Sequence, residues 1–119
     1  MLKLKNEVEQ SVENELSRAC EKFGALNHSH HESYAVILEE IEEAREATEA
    51  FIVNIHTFWG CVKQDKPADC LRMVAEEART FAIKTAMEWV QVAAMCEKAR
   101  LTAEYKLGQE ERGVQNAPT

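Results

Sequence analysis

Only two prolines (Pro67 and Pro118) and four glycines interrupt this 119-residue chain. So few turn formers, in an alphabet rich in Ala, Glu, Lys, Leu and Val, exclude a fold of many short strands and favour a few long helices. Long apolar runs are missing as well. None approaches the ~20 residues that a membrane-spanning helix needs. The opening residues, Met1-Leu2-Lys3-Leu4-Lys5-Asn6-Glu7, lack the apolar stretch of a signal peptide, and the expectation is a cytoplasmic protein that meets no membrane. Basic charge is scarce too. A formal charge of −7 argues against gripping a nucleic-acid duplex through a basic surface. It leaves open a small phosphorylated ligand whose charge is bridged by metal ions. The four cysteines (Cys20, Cys61, Cys70, Cys96) form no Cys-x-x-Cys pair and no zinc-like spacing, so they read as small buried apolar residues.

What is present is helical periodicity. Leu4, Val8, Val12, Leu16, Ala19 and Phe23 recur every three or four positions and predict a helix over about residues 3–23, stopped by Gly24. Ser29-His30-His31-Glu32 has the Ser-x-x-Glu form of a capping box, so a second helix is expected from His30 to about residue 64. The adjacent histidines point in different directions and suit a helix start better than a zinc site. Asp65-Lys66-Pro67 is the strong turn signal of the middle of the chain, with Pro67 fitting a first helical turn. The third helix is expected over about 67–105, with Leu71, Ala75, Ala78, Ala82, Ala86, Trp89 and Val92 on one stripe. Such small residues let helix axes approach closely but bury little area, so a second subunit is expected to complete the core. The predicted fold is all-α: one domain over 1–107, a long antiparallel hairpin plus an N-terminal helix, completed as a bundle in a homodimer or homotetramer. Residues 108–119 have almost no apolar content and read as a disordered tail.

The chemistry lies in Glu39-Glu40-Ile41-Glu42-Glu43, a carboxylate cluster framed by Ile37-Leu38 and Ala44. On a helix Glu40 and Glu43 share a side, one turn apart, and their charges repel unless a cation neutralises them. Glu88 sits in a second apolar frame, Ala86-Met87-Glu88-Trp89-Val90. A hairpin turning near residue 66 aligns positions whose numbers add to about 133, which puts Glu43 level with Val90 and Glu88 opposite Arg45 at 1.5 Å rise per residue. The two polar clusters therefore fall at nearly the same height, as an all-helical Mg²⁺ site needs. The plain alternatives are a solvated acidic face and a Lys84–Glu88 surface pair worth ~0.3–0.5 kcal/mol. In the functional reading Lys84 meets a phosphate oxygen. Trp59 and Trp89 suit core or interface anchors, and Trp89, beside Glu88, is the better candidate for stacking on a base. Cys61 and Cys70 should face each other near the hairpin tip, where a reducing compartment argues against a disulfide.

These segments resemble the MazG-like branch of the all-α nucleoside triphosphate pyrophosphatases, which pairs a Glu-Glu-x-x-Glu helix with a later Glu-x-x-Asp helix. Glu39-Glu40-Ile41-Glu42-Glu43 matches the first half, and Glu88-Trp89-Val90-Gln91 matches the second except at its last position. The flanking words His31-Glu32-Ser33-Tyr34-Ala35-Val36-Ile37-Leu38 and Gln91-Val92-Ala93-Ala94-Met95 are similar to a phage and bacterial subgroup, over about residues 28–100. The resemblance implies a Mg²⁺ (or Mn²⁺)-dependent pyrophosphohydrolase acting on a nucleoside polyphosphate. Glu40, Glu43, Glu88 and Gln91 would hold metal, and Glu39 would orient or deprotonate the attacking water. Gln91 departs from the family's Asp, and a neutral amide oxygen is the weaker ligand. The spacing between the halves is also longer than usual in the family. Two other readings stand beside it: a nucleotide-sequestering protein without turnover, and a helical protein-interaction module.

Overall fold

The computed structural model describes residues 1–113 and contains three helices: α1 (Leu2–Phe23), α2 (His30–Lys63) and α3 (Ala68–Glu111). No strand occurs among the described residues, and none of these helices is long and apolar enough to cross a membrane. Helices α2 and α3 pack as a hairpin, as the all-α reading expects.

The helix ends follow local chemistry. Gly24 ends α1 at φ 96°, a conformation open to glycine, with its N–H donated to Cys20 O. At the start of α2 the Ser29 hydroxyl accepts from Glu32 N–H at 3.0 Å. The Glu32 carboxylate reaches back one residue further than a capping box requires, taking the His28 N–H at 3.1 Å. That backbone hydrogen bond, followed by the one from the His28 ring, holds the Glu32 carboxyl below its ordinary value of 4.5. Helix α2 closes on Asp65 at φ 52°, with Asp65 N–H on Val62 O and Lys66 N–H on Cys61 O. This paired arrangement satisfies two terminal carbonyls, and an aspartate tolerates the left-handed position better than most residues. Pro67 immediately precedes α3, and its carbonyl accepts from Cys70 and Leu71 N–H.

Helix α3 runs further than the apolar stripe alone suggests. Past residue 100 it is held by side-chain pairs one turn apart, Arg100 with Glu104 at 2.8 Å and Gln109 with Tyr105 at 3.0 Å. Of the stretch read as a disordered tail, 108–111 are helical and 112–113 form a turn; residues 114–119 lie outside the described residues. All four cysteines are free, and none is buried as expected: Cys20, Cys61 and Cys70 are half-buried and Cys96 is exposed.

The chain divides into two compact units. One comprises Met1–Glu39 and residues from Val90 onward, the other Glu40–Trp89. The first unit buries Leu16, Val92 and Ala94 around a polar network. Asn27 N–H donates to the Thr102 hydroxyl at 3.0 Å, Thr102 donates to Lys98 O at 2.9 Å, and the Asn27 amide donates to the Ser33 hydroxyl at 2.8 Å. In the second unit the buried residues are Ala44, Ala47 and Ala78 with Asn54. Alanine contacts bring the two helices close enough for the Thr85 hydroxyl to reach Ala47 O at 3.1 Å across the pair.

A candidate metal centre

Within the Glu40–Trp89 unit the hairpin register brings three carboxylates together. Glu40 and Glu43 stand one turn apart on α2, Glu88 stands on α3, and one oxygen of each lies within 4.8 Å of the others. Glu40 and Glu88 are half-buried, while Glu43 is exposed. The Ala44–Ala47 seam permits this convergence, because short side chains hold the helices close where the longer glutamates meet.

Three such charges repel. At this separation each pair costs about 1 kcal/mol in bulk water and several times that where water is partly excluded. One oxygen of the cluster, Glu88 Oε2, is buried and has no hydrogen-bond partner. No lysine or arginine forms an ion pair with Glu43 or Glu88 among the described residues. In particular Lys84, exposed one turn before Glu88, does not form the surface pair that was the plain alternative.

These donors fit a hard divalent cation. Mg²⁺ and Mn²⁺ take oxygen ligands and are often held by a few carboxylates, with water and phosphate oxygens completing the shell. A buried carboxylate oxygen that accepts nothing from the protein has an evident use as such a ligand.

The remaining predicted residues are distributed differently. Trp89 is partly exposed, and its indole N–H is committed to the Thr48 hydroxyl at 3.0 Å. It points about 100° around α3 from Glu88, as consecutive helical residues do. Glu39 is exposed and Gln91 half-buried, and both belong to the other compact unit. The carboxylate cluster is therefore built from Glu40, Glu43 and Glu88.

One residue escaped the sequence reading. Asn54 is buried in the second unit, donates from its amide to Glu77 at 3.3 Å, and leaves its Oδ1 without a hydrogen bond. Its signal was available: an amide between Phe51 and Phe58 at core spacing.

No protein-family model matches this chain, and no curated protein or solved structure matches it either.

Proposed function

We propose that the chain is a divalent-cation-dependent nucleotide pyrophosphohydrolase acting on a nucleoside polyphosphate, with Mg²⁺ or Mn²⁺ held by Glu40, Glu43 and Glu88. The observation that carries this reading is the convergence of those three carboxylates within 4.8 Å, two from one helix and one from the next. The sequence resemblance supplies the substrate class. A bound cation would neutralise polyphosphate charge and acidify a water for attack on a phosphoanhydride.

The chain's own residues have separate tasks in this reading. Glu88 offers its buried oxygen as the inner ligand, while the exposed Glu43 faces the side from which substrate approaches. Lys84 is the positive charge nearest in sequence to Glu88 and meets a phosphate oxygen. Trp89 offers part of an indole face for stacking. Gln91, where the resembled family has Asp, belongs to the other compact unit and offers no fourth carboxylate, so turnover is expected to be weak.

Calorimetric titration of Mn²⁺, with and without a nucleoside triphosphate, into the wild type and Glu43→Gln tests the site. Saturable binding that Glu43→Gln abolishes is expected, followed by release of pyrophosphate from at least one member of a nucleotide panel. A wild type that binds no metal under either condition refutes the reading. Metal and nucleotide binding without hydrolysis would leave a sequestering protein, the reading that Gln91 in place of Asp favours.

A further inference from the structure

The tip of the hairpin holds two thiols that the carboxylate cluster does not use. Cys61 lies on α2 and Cys70 on α3, both half-buried, both free, and both within the Glu40–Trp89 unit. Residues 64–67 alone join the two helices, so the connection itself keeps their ends close. Hydrogen bonds fix that connection at both cysteines. Lys66 N–H donates to Cys61 O at 3.1 Å, and Cys70 N–H donates to Pro67 O at 3.0 Å.

The register of the pair is marked seven residues further from the tip. There the Asn54 amide of α2 donates to the Glu77 carboxylate of α3 at 3.3 Å. Seven residues are close to two helical turns, so Cys61 repeats the position of Asn54, and Cys70 repeats that of Glu77. The helices run antiparallel, and a step of seven forward on one and seven back on the other keeps the two positions level. The cysteines therefore occupy the same relation, on the same side of the hairpin, as two side chains that meet. A bridge needs their Cα atoms within ~7 Å, a separation that the buried alanine seam and the short connection both favour.

We infer that Cys61 and Cys70 form a reversible intramolecular disulfide when the chain meets a small-molecule disulfide. One cysteine, as its thiolate, attacks a sulfur of that oxidant, whose S–S bond breaks and releases one small thiolate with the electron pair. The second cysteine gives its proton to solvent and attacks the protein sulfur of the mixed disulfide, expelling the other small thiolate. Both leaving groups take up protons. Two electrons and two protons thus pass from the protein thiols to the oxidant, which becomes two thiols. The bridge staples α2 to α3 at the tip, roughly 27 Å along α2 from Glu43, so the inference stands apart from the metal reading. It also restricts the unfolded chain, which stabilises the oxidised form.

Cys20 and Cys96 belong to the other compact unit, and replacing both by Ser leaves the tip pair alone. The test equilibrates the full chain carrying Cys20→Ser and Cys96→Ser in glutathione buffers of increasing oxidation, then counts thiols and reads the intact mass. The expected result is loss of both thiols at one midpoint, in a chain lighter by two hydrogens and carrying no glutathione. Dithiothreitol should restore both thiols, and the oxidised form should melt higher by roughly 5–10 °C. Adding Cys61→Ser should instead leave one glutathione on Cys70 and no such rise in melting temperature. Stable glutathione on both cysteines, a bridge between two chains, or thiols that survive fully oxidised glutathione would each overturn the inference. Should the serine variant fail to fold, peptide mapping of the oxidised wild type decides. A linked Cys61–Cys70 peptide supports the bridge, and any other pairing, or none, overturns it.

Discussion

In the unit formed by residues 1–39 and 90 onward, the Thr102 hydroxyl is almost fully buried, accepts from Asn27 N–H and donates to Lys98 O. In the unit formed by residues 40–89, Asn54 Oδ1 and Glu88 Oε2 are buried with no hydrogen bond at all. The first unit has no such orphaned atom among its described residues. Buried polar groups stabilise a fold when each has a partner and cost stability when one is left without. The difference therefore separates a region whose buried polar side chains are paired from one that leaves two such atoms without a partner.

The contrast breaks most visibly at Glu88. Mn²⁺ at about 100 times its dissociation constant should stabilise the wild type by about 2.7 kcal/mol, through binding to the folded state alone. Glu88→Gln should lose that gain. Without metal the variant should be more stable than the wild type, by about 0.5–1 kcal/mol, because one of three repelling charges is gone. Thermal unfolding of both proteins with and without Mn²⁺ reads both effects. A metal-free Glu88→Gln that melts below the wild type would mean that Glu88 is a structural residue.

Two substitutions of the same kind, one in each unit, sharpen the comparison. Thr102→Val leaves Asn27 N–H without an acceptor inside the first unit and should cost about 1–3 kcal/mol. Asn54→Leu removes an amide whose oxygen has no partner among the described residues and whose hydrogen bond to Glu77 is long, 3.3 Å. It should be neutral or stabilising by up to ~1 kcal/mol, as when a lone polar residue leaves a helical seam. Urea midpoints of the two variants test this, and equal losses would remove the distinction between the units.

Much of this was readable in the sequence. Gly24, Ser29-x-x-Glu32 and Pro67 marked helix ends within a residue or two, because each supplies a group that the backbone at a helix terminus needs. Glu40, Glu43 and Glu88 stood out as charges within apolar frames, and helical rise with the position of the turn was enough to level them. The division into two units was not legible. It runs through unbroken helices and depends on which side chains pack, a tertiary fact with no local signature. The extension of α3 to Glu111 was hidden because polar pairs sustain it where the apolar stripe ends. The four cysteines were misplaced because small size says which residues tolerate burial, not which are buried.

The smallest effect tests the first unit from its surface. The folded Glu32 carboxyl titrates below its ordinary value of 4.5, because the His28 N–H and then the His28 ring stabilise its ionised form. Glu97 is lowered as well, by its hydrogen bond to Arg100. With the folded value below the unfolded one, the unfolded chain binds more protons between the two. The stabilisation is then complete above about pH 4.5 and is lost as pH falls through the folded value. Glu32→Gln keeps an oxygen that can accept from His28 N–H but abolishes this titration. Urea midpoints between pH 3 and 6 should fall less steeply with acid for Glu32→Gln than for the wild type. Adding Glu97→Gln should flatten the acid limb further. Identical slopes in all three proteins would show that neither carboxylate couples to folding, leaving the internal network through Thr102 to set the unit's stability.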